Sequence, residues 1–190
     1  MVLKKVPSIC AVWELSNRPP LYAGIGNSDY MNVRVMPARN SHLSEILDIW
    51  KEFMDFHEDL DPFFTRKEDA HISFSTHLHD SLQSEDIQIL VAVGKGKVIA
   101  YSIAEIHQHA PVLEKRTYGF ISDLAVRPDY RRKGTGALLL SEMLAWFKSK
   151  GLSRIEVNVV VKNMVALSFW KKHGFQEYMH ILYLKNPDQD

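Results

Sequence analysis

The apolar and polar positions change period several times along the chain, and each change marks an element. Residues 1–30 hold no sustained period and carry Pro7, Pro19, Pro20, Gly24 and Gly26, the marks of an irregular N-terminal extension. Regular sequence begins at Met31, itself a candidate natural start, with Val33 and Val35 alternating as in a first strand. With Asn40 or Ser41 as N-cap, Leu43, Ile46, Leu47, Trp50, Phe53 and Met54 then recur at the helical period. A second helix is predicted from Thr65 or Arg66 to about Leu82. The Ile- and Val-rich run 87–93 reads as a buried strand, Gly94 to Lys97 as a hairpin turn and 98–106 as the returning strand. Further strands are predicted over 118–126, 155–161 and 178–184, and helices over 136–148 and 163–172, closed by Gly151 and Gly174. The order β-α-α-β-β-β-α-β-α-β makes residues 31–190 one mixed α/β domain.

Composition narrows the class. A chain of 190 residues suits one domain, and 46% apolar with 24% charged residues is the balance of a soluble globular enzyme. Lys plus Arg (23) equals Asp plus Glu (23), so no overall field draws nucleic acid or an anionic membrane, and neither is expected as a partner. Cys10 is the only cysteine, which excludes an internal disulfide and points to a reducing, cytoplasmic setting. Lys4 and Lys5 precede a short apolar run broken by Pro7, weak as a signal peptide and too short to span a bilayer.

The chemistry concentrates after the strand that ends at Val126. Arg131, Arg132 and Lys133 place positive charge beside Gly134-Thr135-Gly136, where a helix begins. Two glycines admit a ligand close to the backbone, and the first N–H groups of a helix favour an anion. A Walker loop is absent. A dinucleotide fingerprint fails because Leu139 stands where its third glycine belongs, although Glu156 lies at a tempting distance downstream. A third form, Arg/Gln-x-x-Gly-x-Gly/Ala, fits, while the plainest alternative is a solvated basic helix start.

The stretch from Leu124 to Gly136 resembles, almost residue for residue, the cofactor signature of the GNAT superfamily of N-acetyltransferases. A second block, Asn163, Ala166 and Phe169 followed by His173-Gly174-Phe175, resembles that family's late helix and following strand. The likeness covers roughly residues 31–184 and is strongest after Phe120. It implies the acyl-CoA N-acyltransferase fold, a mixed sheet of six to seven strands flanked by four helices. It also implies acetyl-CoA as cosubstrate, with the acetyl group passing by direct attack in a ternary complex to a primary amine of a small molecule or protein. By the same resemblance the pyrophosphate rests near Arg131, Arg132, Lys133, Gly134, Thr135, Gly136 and Ala137. The pantetheine arm lies along Leu124, Ala125 and Val126, an N–H near Leu124 faces the thioester oxygen, and Asn163 touches the cofactor's far side. A non-catalytic CoA-binding sensor of the same fold is the rival reading.

An ammonium acceptor titrates near pH ~10 and must lose a proton before attack. Asp123 is the first candidate base and Glu105, on the neighbouring strand, the second. Strict alternation sets Asp123 on one face with Ile121 and Ala125, and Phe120, Ser122 and Leu124 on the other. Where family members carry a tyrosine acid this chain has Trp170, leaving water, Tyr178 or Tyr183 to protonate the thiolate. The connection 54–64 carries Asp55, Glu58, Asp59 and Asp61 among aromatics; it is either the acceptor side or a solvated helix end with its aromatics turned inward. His77, His79, His107 and His109 read as surface histidines; no metal is expected. Pairing through the last strands would give a homodimer.

Overall fold

The computed structural model describes residues 33–185; the expected N-terminal extension lies outside them. Five strands form one sheet in the order β1 (Arg34–Pro37), β2 (Ile87–Gly94), β3 (Lys97–Gln108), β4 (Thr117–Val126) and β5 (Ile155–Val157). The first four run antiparallel to their neighbours, and β5 lies parallel to β4. Helices α1 (Leu43–Leu60) and α2 (Ala70–Ser81) cover one face, and α3 (Thr135–Ser149) and α4 (Met164–Lys172) the other.

Each face has its own core because strand side chains alternate. Ile46, Ile49, Trp50 and Phe53 from α1 meet Ile89, Val91, Tyr101, Ile103 and Ala125 on one side. Leu139, Leu140, Met143 and Phe147 from α3 join Phe169 and Trp170 against Ile121, Leu124 and Val126 on the other. The predicted helical stripe of α1 is the buried stripe, extended by one further turn to His57.

Several expected boundaries move. A 3-10 turn at Asn40–His42 precedes α1, and the Arg39 N–H bonds His42 Nδ1 rather than a cap on Asn40 or Ser41. Helix α2 begins at Ala70, because the Thr65 hydroxyl is held by Glu58 and the Pro62 carbonyl in the preceding turn. The strand expected over 155–161 stops at Val157, and the strand expected over 178–184 is not in the sheet, which therefore has five strands rather than six or seven. There Ile181, Leu182, Tyr183 and Leu184 are 80–93% exposed. Strand propensity needs a ladder to act on, and β5 offers a partner only three residues of edge.

Candidate active site

Strands β4 and β5 pair only at Gly119, Phe120 and Ile121, opposite Ile155, Glu156 and Val157. Beyond that point they part. The parting coincides with a bulge: Ile103 faces Asp123 and Ala104 faces Ile121, so Ser122 is an extra residue on β4. Arg127 N–H donates to the Ile99 carbonyl at 2.8 Å. Counting back by alternation, Leu124 and Val126 turn their N–H groups away from β3 into the groove left by β5. The Val126 carbonyl accepts from Arg131 Nε at 2.8 Å, so the basic loop is tied to the strand it follows.

That loop leads onto the start of α3. Arg132 and Gly134 both adopt left-handed backbone, φ 59° and 82°, successive inversions that gather N–H groups into an anion-binding concavity. Gly134 is the N-cap and no side chain caps this end. The first intrahelical bond is Leu138 N–H to the Gly134 carbonyl, which leaves the N–H groups of Thr135, Gly136 and Ala137 without helical partners. Thr135 and Gly136 are buried, and Lys133 Nζ stands 5.7 Å from the centre of the Tyr130 ring. Across the groove, Asn163 is 1% exposed and caps α4 by accepting the Ala166 N–H at 3.0 Å. Its amide Nδ2 is buried and has no partner among the described residues.

The bulge also corrects the expected facing of the carboxylates. Ile121 packs towards α3, whereas Asp123 accepts a hydrogen bond from the Tyr101 hydroxyl (2.9 Å), which lies on the α1 side. Asp123 therefore shares a face with Ala125 but not with Ile121; Ser122 and Asp123 turn the same way. Asp123 is 7% exposed, and burial pushes its carboxyl up to about 7. The Tyr101 bond opposes that rise, and the Glu105 charge adds to it. Glu105, on the same face, accepts from His107 (2.7 Å). Burial alone would raise its pKa, but the bonds from His107 and Ser122 outweigh burial and hold it below the ordinary value.

The sequence model of the acetyltransferase (GNAT) family matches residues 46–175, which contain the groove, the loop and both carboxylates. The chain belongs to that family. Among GNAT relatives it is 29% identical over 82 residues to the ribosomal protein bS18-alanine N-acetyltransferase of Escherichia coli, covering 43% of this chain and 50% of that one. It is 23% identical over 154 residues to an aminoglycoside N(6')-acetyltransferase of Acinetobacter genomosp. 13, covering 80% and 97%. The chain spans only 29% of the length of a Methanocaldococcus jannaschii N-acetyltransferase matched at 35% identity, and 50% of the Escherichia coli enzyme. A structure of a Bacillus halodurans protein superposes with a TM-score of 0.74 at 22% identity, covering 80% of this chain and 99% of its own, which shows a shared fold.

The remaining expected residues fall unevenly. Of the four acids expected on the acceptor side, Asp55, Glu58 and Asp59 lie in the last turns of α1 and Asp61 follows them; Asp55 pairs with Arg66, Glu58 accepts from Thr65, and Asp61 caps the turn at Phe63. Trp170 is 1% exposed and packed edge-on to Phe169 and Phe175, with its indole N–H unpartnered. The Tyr178 hydroxyl donates to Glu156 at 2.8 Å, and Tyr183 is 84% exposed. His107 bonds Glu105, and His109 approaches Glu156 at 3.0 Å; no group of three or more potential metal ligands occurs among the described residues. No described helix is long and apolar enough to cross a membrane. Sequence reasoning missed Tyr101, whose signal is a phenol within the apolar run 98–104, and His57, a histidine on the apolar stripe of α1.

Proposed function

We propose that this protein transfers the acetyl group of acetyl-CoA to a primary amine of a small molecule or protein, by direct attack in a ternary complex. One observation carries the reading: a groove that opens where β4 leaves β5 runs to the uncapped start of α3. The thioester supplies an activated acetyl group with a thiolate leaving group. The N–H groups of Thr135, Gly136 and Ala137, with Arg131, Arg132 and Lys133 around them, would hold the diphosphate. Leu124 and Val126 would bond the pantetheine amides as a neighbouring strand does, and Asn163 Nδ2 would donate from the opposite wall. The Leu124 N–H would face the thioester carbonyl oxygen as it gains charge during attack.

Asp123 is the base in this reading. Its carboxyl near 7 is ionised above neutrality and accepts the proton that an ammonium acceptor must lose. Tyr101 holds the carboxylate in place. Glu105, already bonded to His107, supplies negative charge that favours a cationic acceptor. Water protonates the departing thiolate, whose unperturbed pKa of about 8.5 needs no strong acid.

The test is calorimetry with CoA, followed by thiol release from acetyl-CoA across an amine panel. The panel includes aliphatic diamines, an aminoglycoside and a peptide with N-terminal alanine. CoA binding with release that depends on an amine is expected; binding without it would leave a cofactor sensor. The reading places the enzyme in the cytoplasm, which fractionation with fluorescence imaging checks. It also pairs two copies through the exposed apolar segment 178–184, and a monomeric sedimentation profile would remove that pairing.

A further inference from the structure

Three long-range bonds fix the path of α1. Glu45 accepts the Val98 N–H at 2.9 Å at the start of β3, Glu52 pairs with Arg127 at 2.9 Å just beyond β4, and the Leu60 carbonyl accepts from Lys162 at 2.9 Å in the segment between β5 and α4. The helix thus passes over the end of β4 and across to the far wall of the groove. The residues between Glu52 and Leu60 span the opening. On the stripe of this span that faces the sheet, beside Phe53 and Met54, lies His57, completely buried.

The ring of His57 is chemically half-satisfied. Nδ1 lies 2.7 Å from the Phe53 carbonyl, an acceptor, so Nδ1 carries the proton and Nε2 presents a lone pair. Nε2 is buried and has no partner among the described residues. The rings of Phe53, Phe56 and Phe64 stand 4.4, 5.5 and 5.8 Å from the imidazole centre. Burial holds the imidazole below its ordinary pKa, against the opposing pull of the Phe53 carbonyl, so the ring stays neutral and accepts. Buried acceptors are almost always paired, and none of the described residues donates to this one.

We propose that His57 is an acceptor-binding residue: its Nε2 lone pair receives an N–H of the incoming amine, holding the nitrogen beneath α1 while Asp123, on the sheet, takes its proton. The ligand class is an amine that keeps one N–H for His57 after surrendering a proton. The surrounding phenyl rings favour an alkyl ammonium on arrival. The inference rests on the acetyltransferase reading.

The test compares His57→Phe, which keeps a ring but removes the lone pair, with His57→Gln, whose side-chain oxygen reaches towards the same place. For His57→Phe the KM of the amine rises ~10-fold or more, the size of one buried hydrogen bond, while the KM of acetyl-CoA is unchanged. His57→Gln recovers part of the loss. An unchanged amine KM in His57→Phe overturns the proposal, as does an equal loss in both variants. Nitrogen NMR of the CoA-bound wild-type protein reads the same contact without turnover: the Nε2 resonance moves on addition of amine. Normal turnover with a stationary resonance removes the role of His57 alone. No turnover and no movement, with CoA still bound, removes the acetyltransferase reading as well.

Discussion

Asp123→Asn separates the catalytic and structural consequences of burying a carboxyl. Asparagine keeps the shape and can still accept the Tyr101 hydroxyl, but it cannot ionise. Asp123 titrates near 7 in the folded protein against an ordinary 3.8, a gap driven first by burial. At 1.36 kcal/mol for each pKa unit, ionising it in place costs roughly 4 kcal/mol. The sign follows from proton binding. The folded state holds the proton more tightly, so this group's contribution to stability is complete below about pH 4, falls as pH rises towards 7, and stays low above it. The variant lacks this decline. Urea unfolding of both proteins from pH 4 to 8 should therefore show Asp123→Asn gaining on the wild type by up to a few kcal/mol. Over the same range the wild-type kcat/KM should climb with an apparent pKa near 7, while the variant loses ~10²–10⁴-fold in rate and its rising limb. A stability difference that does not change with pH would refute the burial argument, and a retained rising limb would refute the role as base.

Asn163→Ala removes the α4 cap and the unpartnered Nδ2 donor together. A loss of about 1 kcal/mol in thermal or urea unfolding is expected, with weaker CoA affinity by calorimetry. A Cβ at Gly119 would come within 2.6 Å of the Phe147 ring, so Gly119→Ala should lower stability by ~1–3 kcal/mol in denaturant titration. Trp170→Phe keeps an aromatic ring in the α4 core and removes no proton donor that the reaction uses, so thiol release should persist; its abolition with CoA binding intact would contradict the role given to water.

The groove and its loop were legible because their signals are local. Gly134 requires the left-handed conformation, and the residues from Leu124 to Gly136 encode strand, turn and helix start in one run. The stripe of α1 was equally readable, since Ile46, Trp50, Phe53 and Met54 repeat at the helical period. What failed was what depends on partners. The Tyr178–Leu184 pattern is strand-like, but no edge receives it. The facing of Asp123 depends on a mismatch between two strands, which the sequence of β4 alone cannot display. The acids of residues 54–64 read equally as a receptor for cations or as a solvated helix end; their use on Arg66, Thr65 and the Phe63 turn is a tertiary fact. His57 and Tyr101 were missed because a polar group on an apolar stripe gains meaning only from its neighbours.

The bulge at Ser122 has a consequence for how this scaffold can be altered. Since Ser122 and Asp123 project to the same side, deleting Ser122 would leave Ile121, Asp123 and Leu124 oriented as they are now while restoring a flat ladder with β3. The strand would straighten and run alongside β5 for longer, narrowing the cleft without reversing any core position. Cleft width and side-chain orientation are thus separate dials on this sheet, and a single inserted residue sets the first without turning the second.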